Sequence, residues 1–172
     1  VPFSRWDSDN ELVVGKPEHL APVRFGGFVN DNLDLWDMAL FGIAQSEAVQ
    51  VDPQQRTLLN FAVAAMIHGG ETATSVQGSV RSVLIGISSS EYSSLMSKMG
   101  ATITPHTSLT GCLSVACGRI SYTFGLSGPS ASIDTACSSS LVCTHLGNSL
   151  LMNEETDSSF AAGITQTLVA QS

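Results

Sequence analysis

The run Val83-Leu84-Ile85-Gly86-Ile87 constrains the architecture more than any other segment. A continuous apolar stretch of strand length, with no polar face, fits a central parallel strand covered on both sides better than an alternating surface strand. The segments around it read as helices and strands in alternation. Asp52 can cap a helix whose first position is Pro53, with Gln55 three residues after the cap. Leu58, Leu59, Ala62, Ala65 and Met66 give that helix an apolar stripe, and Gly69-Gly70 stops it. A shorter helix is expected from Asp34 through Ala48, and a loop with a short helix in the Ser-rich stretch Ser88 to Ser97. Leu109 to Leu126 reads as helix ended near Gly125 and Gly128-Pro129, and Ala131 to Asp134 as a second strand. Ser138 to Met152 reads as a third substantial helix with Val142, Cys143, Leu146 and Leu150 on its packed face, and Phe160 to Ile164 as a further strand. Helix and strand in turn, with no repeat or low-complexity linker, predict an α/β layered fold without an internal domain boundary.

Composition narrows the function. Seven Lys+Arg against 15 Asp+Glu leave a net charge of -8, so the scattered cations do not form a phosphate-binding surface and a nucleic-acid role is disfavoured. Hydrophobic residues at 43% exclude a disordered chain. Only 13% of residues are charged, which predicts that much of the surface is covered by something else. The opening Val1-Pro2-Phe3-Ser4-Arg5-Trp6-Asp7 has no secretory pattern, and the longest apolar run, Phe61 to Ile67, is too short for a membrane span. Cys112, Cys117, Cys137 and Cys143 form no CxxC pair and have no His at zinc spacing, so no metal site is expected and a reduced, intracellular compartment fits best. The sequence starts without Met and reads like a piece of a larger body.

One segment carries chemistry. In Ile133-Asp134-Thr135-Ala136-Cys137-Ser138-Ser139-Ser140-Leu141 a short strand ends, small residues allow a sharp turn, and Cys137 comes at the start of a helix. Backbone N–H groups and the positive end of the helix dipole favour a thiolate at such a place and can stabilise an oxyanion on a thioester carbonyl. The plainer alternative for Cys137 is a buried cysteine in a Ser-rich turn; Cys112, Cys117 and Cys143 read as small buried hydrophobes.

Asp134-Thr135-Ala136-Cys137-Ser138-Ser139-Ser140-Leu141 resembles the nucleophile motif of the β-ketoacyl synthase domains of type I polyketide synthases and the related fatty acid synthases. Further blocks follow in the family's order. They are Val1-Pro2 with Arg5-Trp6-Asp7, Arg24-Phe25-Gly26-Gly27-Phe28, Phe41-Gly42-Ile43 and Asp52-Pro53-Gln54-Gln55-Arg56. Then come Ser114-Val115-Ala116, Gly118-Arg119-Ile120-Ser121-Tyr122, Gly125-Leu126, Gly128-Pro129-Ser130 and Ala162-Gly163. The resemblance implies a thiolase-like layered α-β-α-β-α fold, here a partial domain over residues 1–172: roughly the first half, without the family's first strand. It implies an acyltransferase in which Cys137 takes an acyl group from the phosphopantetheine arm of an acyl carrier protein. A malonyl-type extender is then decarboxylated and its carbanion attacks the acyl-cysteine. No cofactor is expected to bind directly; the implied partners are loaded carrier proteins and a second copy of the full domain, in the cytoplasm.

Cys137 is the one catalytic position of the family that this sequence places. The family's histidine motifs, roughly His-Gly-Thr-Gly-Thr and Asn-x-Gly-His, do not occur, and His19, His68, His106 and His145 have other surroundings. His145 shares a helix with Cys137, but at about 1.5 Å per residue it lies some 12 Å further along the axis, too far for direct proton transfer. Two departures from the family pattern are Cys112 where Asn is expected and the helix end Ile67-His68-Gly69-Gly70. Retention of Cys137 in place of Gln disfavours a decarboxylase-only loading domain. The alternatives are a fatty acid synthase ketosynthase and a non-catalytic scaffold or dimerisation module of the same fold.

Overall fold

The computed structural model describes Gly27 and residues 36–100 and 111–168. Its centre is a parallel sheet of three strands: β1 (Arg81–Ile87), β2 (Ser130–Ile133) and β3 (Ser158–Ile164), in the order β2-β1-β3. β1 is the middle strand, Val83 pairing with both Ser130 and Phe160, and Gly86 with both Ile133 and Gly163. Ser82 through Ile87 are all buried, the outcome expected of a strand with no polar face.

Helices cover both faces. Among the described residues six are α-helical: α1 (Gln45–Ala48), α2 (Pro53–His68), α3 (Ala73–Val76), α4 (Tyr92–Lys98), α5 (Val115–Phe124) and α6 (Ser139–Met152). Val83, Ile85 and Ile87 share a core with Leu58, Leu59, Ala62 and Met66 of α2 and Ala116, Cys117, Ile120 and Phe124 of α5. The alternate positions of β1 face α6, where Gly86 lies against Ser139 and Leu84 lies near Gly147. The result is a helix–sheet–helix sandwich in which the longest apolar strand sits in the middle. No helix among the described residues is long and apolar enough to cross a membrane.

The start of α2 follows the sequence signal. Pro53 takes the first position and the Asp52 carboxylate accepts from the Gln54 N–H at 2.7 Å. The Gln55 side chain does not return to the cap; it accepts from Arg119 Nε at 2.8 Å and so joins α2 to α5. Other expectations are corrected. The helix expected from Asp34 through Ala48 is two separate pieces in its described part, a 3₁₀ turn at Met38–Phe41 and then α1, parted by Gly42 in the left-handed region at φ 64°. The helix expected over Leu109–Leu126 is regular only over Val115–Phe124 in its described part, with residues 111–114 in turn or irregular backbone. On α6 the buried residues are Ser139, Cys143 and Gly147, whereas Leu146 is exposed. The blocks at Val1–Asp7 and Arg24–Phe28 lie outside the described residues, apart from Gly27.

Candidate active site

β2 delivers the chain to the site and α6 takes it away. Between them Asp134-Thr135 lead into a 3₁₀ turn, Ala136–Ser138, so Cys137 stands one turn ahead of the α-helix proper. Its side chain belongs to an exposed residue at the positive end of α6. Ala136 carries φ 54°, a left-handed conformation that a residue with a Cβ adopts at a cost.

Local hydrogen bonds hold this unusual backbone. The Ala136 N–H donates to Asp134 Oδ1 at 3.0 Å. The Ser139 hydroxyl accepts from the Thr135 N–H at 2.9 Å and donates to the Ala136 carbonyl at 2.7 Å, bridging the turn from both sides of Cys137. Ser138 Oγ donates to the Thr135 carbonyl at 2.8 Å. The Ala136 N–H, and next the Ser88 hydroxyl, keep the Asp134 carboxyl below its ordinary value of 3.8.

Small residues bring α6 onto the sheet. A Cβ at Gly86 would stand 2.8 Å from Ser139 Cβ and 2.9 Å from the Ser140 nitrogen, and one at Gly163 would stand 2.6 Å from Ser140 Cβ. The first turn of α6, immediately after Cys137, therefore rests directly on the backbones of β1 and β3. These supports were not foreseen from the sequence. The glycine inside the apolar run of β1 was the available signal, since a strand glycine marks a close approach.

The remaining cysteines fall in different settings. Cys117 and Cys143 are buried, as a small core residue would be, and burial pushes the Cys143 thiol up. Cys112 is exposed, contrary to a buried reading, with Sγ 3.1 Å from Ser114 Oγ. His145 is exposed on α6 and His68 is exposed at the end of α2; His19 and His106 lie outside the described residues. Among the described residues no three His, Cys, Asp or Glu gather as a metal site requires. The arrangement offers an exposed thiol on a strand-to-helix turn, one turn ahead of the helix.

The model of the β-ketoacyl synthase N-terminal domain matches residues 1–172. One phenolphthiocerol/phthiocerol polyketide synthase protein of Mycobacterium tuberculosis is 39% identical over 172 residues, covering 98% of this chain and 11% of the relative. Another protein of the same synthase and species is 41% identical over 172 residues, with 98% and 9% covered. The chain thus spans about a tenth of the length of these curated relatives. Among solved structures, the ketosynthase from module 6 of the bacillaene synthase of Bacillus subtilis 168 superposes with a TM-score of 0.79 at 33% identity, covering 98% of this chain and 26% of the other. A cysteine-to-serine variant of that ketosynthase gives 0.82 at 32% identity, with 98% and 27% covered.

Proposed function

Because this chain belongs to the β-ketoacyl synthase family, we propose that residues 1–172 are the N-terminal part of an extending polyketide synthase ketosynthase in which Cys137 is the acyl-accepting nucleophile. The observation that carries the assignment is the exposed Cys137 on a turn held at a positive φ between β2 and α6. A strand-to-helix turn of this kind presents a thiol to a substrate arm while the scaffold beneath stays fixed.

The reaction has two halves. Cys137 Sγ, as thiolate, attacks the carbonyl carbon of an acyl thioester delivered on the phosphopantetheine arm of an acyl carrier protein. A new C–S bond forms, the tetrahedral oxyanion is held by backbone N–H groups near the start of α6, and the arm's sulfur leaves as a thiolate that takes up a proton. In the second half a malonyl-type extender loses carbon dioxide. Its carbanion attacks the acyl-cysteine carbonyl, freeing Cys137 and leaving a β-ketoacyl product on the carrier. Neither histidine motif expected for that second half occurs in this sequence, so the chain as it stands performs acyl transfer and not condensation. The full domain works as a cytoplasmic homodimer with the acyl carrier protein as partner.

Two exposed cysteines make the test internal. The chain is incubated with an acyl-pantetheine thioester, and the adduct is mapped by mass spectrometry. Acylation of Cys137 in clear excess over Cys112, abolished in Cys137→Ala, is the expected result. Equal labelling of Cys137 and Cys112, or none, favours the scaffold reading instead. With loaded carrier proteins added, any β-ketoacyl product from this chain alone refutes the restriction to acyl transfer.

A further inference from the structure

Three serines follow Cys137, and only the middle one is buried: Ser139 is 5% exposed, whereas Ser138 and Ser140 are exposed. The sheet is what buries it. A Cβ at Gly86 would stand 2.8 Å from Ser139 Cβ and 2.9 Å from its carbonyl carbon, so Ser139 sits directly on the backbone of the central strand. A serine at the start of a helix ordinarily turns its hydroxyl forward onto the free N–H groups of the first turn. Ser139 turns backward instead. Its hydroxyl accepts from the Thr135 N–H at 2.9 Å and donates to the Ala136 carbonyl at 2.7 Å, and its own backbone N–H donates to that same carbonyl. A hydroxyl has one proton to give and lone pairs to receive, and here both functions are used. Ser138, which holds the cap position of α6, makes no side-chain capping bond; its hydroxyl donates to the Thr135 carbonyl at 2.8 Å.

The Ala136 carbonyl and the Cys137 N–H belong to one planar peptide unit, and it is trans. A trans peptide points its N–H opposite its C=O. Two donors on that carbonyl therefore fix the plane that enters Cys137 and the side on which the Cys137 N–H points. We infer that Ser139 is a positioning residue for the nucleophile: seated on β1, it holds the Ala136–Cys137 peptide plane and so sets the direction of the Cys137 N–H and the place from which its thiol projects. The catalytic consequence rests on the role proposed for Cys137, whereas the hold on the peptide stands on the hydrogen bonds alone. The positive φ of Ala136 makes such a hold necessary, since a left-handed alanine persists only where its surroundings over-determine it. An N–H aimed in advance counts most when the thioester carbonyl becomes an oxyanion, so it acts on the transition state and not on ground-state binding.

The test compares Ser139→Ala with Ser149→Ala, which removes a bond of the same kind further along α6, from Ser149 Oγ to the His145 carbonyl at 3.0 Å. Three quantities are followed: hydrogen exchange of the Thr135 amide by NMR, acylation of Cys137 by an acyl-pantetheine thioester, and alkylation of Cys137 by iodoacetamide. Ser139→Ala is expected to speed exchange at Thr135 and to lower the maximal acylation rate, each about tenfold, the effect of losing a buried hydrogen bond. The half-saturating thioester concentration should stay within about twofold, because ground-state binding is untouched. Alkylation forms no oxyanion and should stay within the same limit. Ser149→Ala should match the wild type in all three. Acylation at the wild-type rate in folded Ser139→Ala overturns the inference, and so does an equal fall in acylation and alkylation, which would mean that the site had merely loosened. If Ser139→Ala does not fold, the wild-type chain decides: a Thr135 amide that exchanges as fast as an unstructured one overturns the hold on the turn, and a protected one upholds it. Faster Thr135 exchange in Ser139→Ala together with equal acylation of Cys137 and Cys112 in the wild type upholds the hold on the peptide and overturns the role of Cys137.

Discussion

Ala136 concentrates the strain of the site in one residue. Its φ of 54° places its Cβ in a region where only Gly is unpenalised, yet two hydrogen bonds, from its N–H to Asp134 and from Ser139 to its carbonyl, keep it there. Ala136→Gly should therefore leave the melting temperature unchanged or raise it, relief of the left-handed strain being set against the larger entropy of glycine in the unfolded chain. Ala136→Val should cost about 1–2 kcal/mol beyond any loss of contacts, because a β-branched side chain tolerates this region least. Thermal denaturation of the two variants decides; a valine variant as stable as the wild type would mean that the turn is free to relax. The sequence offered small residues at this bend but not the sign of φ, since Ala in a turn carries no mark of the left-handed region.

At the scale of elements, the decisive contact is between α6 and the sheet, and it is made by the smallest side chains. Gly86→Ala would place a methyl 2.8 Å from Ser139 Cβ and 2.9 Å from Ser140 N, both next to the Ala136–Ser138 turn. The helix must lift or tilt at its first turn. The expected result is a loss of about 1–3 kcal/mol in denaturant unfolding together with slower acylation of Cys137. Stability lost with acylation intact would separate the support from the site. This contact also explains what the sequence revealed and what it hid. α2 was legible because its start combines a carboxylate cap, proline and an apolar stripe, all local signals; within that stripe Ala65 alone is exposed. The packed face of α6 is legible only at Cys143, because Val142 and Leu146 outrank Ser139 and Gly147 in hydropathy, whereas the sheet accepts α6 at a distance where only small side chains fit. Leu141 and Leu146, at 71% and 40% exposure, are turned away from it. Likewise Gln55 looked like a capping partner, and a residue 64 positions away in sequence, Arg119, engaged it instead.

For the whole molecule, two carboxylates give the stability opposite dependences on pH. Burial holds Asp52 above its ordinary value of 3.8, more strongly than its hydrogen bonds to Ser90 and Gln54 lower it. The folded chain thus binds that proton more tightly than the unfolded one, and the contribution of Asp52 is complete below pH 3.8 and lost as pH rises through its folded value. Glu71 behaves in the reverse sense. Its bidentate pair with Arg81, at 2.6 and 2.7 Å, holds it below 4.5, so its contribution is present above pH 4.5 and lost as pH falls through its folded value. Asp52→Asn should accordingly gain in melting temperature relative to the wild type as pH is raised from about 3.5 to 7, and Glu71→Gln should gain as pH is lowered over the same range. Parallel curves for variant and wild type would remove the assigned causes. The low charged fraction, 13%, agrees with a chain that leaves Phe61, Ile67, Tyr122, Leu141 and Met152 more than half exposed.

The order β2-β1-β3 also sets a timetable. The central strand is synthesised first of the three, yet every backbone hydrogen bond it makes within the sheet waits for a later strand, and Ser82 meets Ser159 only 77 residues on. At roughly 5–20 residues per second of synthesis, that interval is about 4–15 s. Until β2 emerges, 130 − 83 = 47 residues from Val83 to its partner Ser130, the apolar stretch of β1 has no strand of the sheet to pair with, although α2, which comes before it, is already available to cover one face. The same burial that makes β1 the anchor of the finished sheet makes it the segment most in need of shelter on the ribosome.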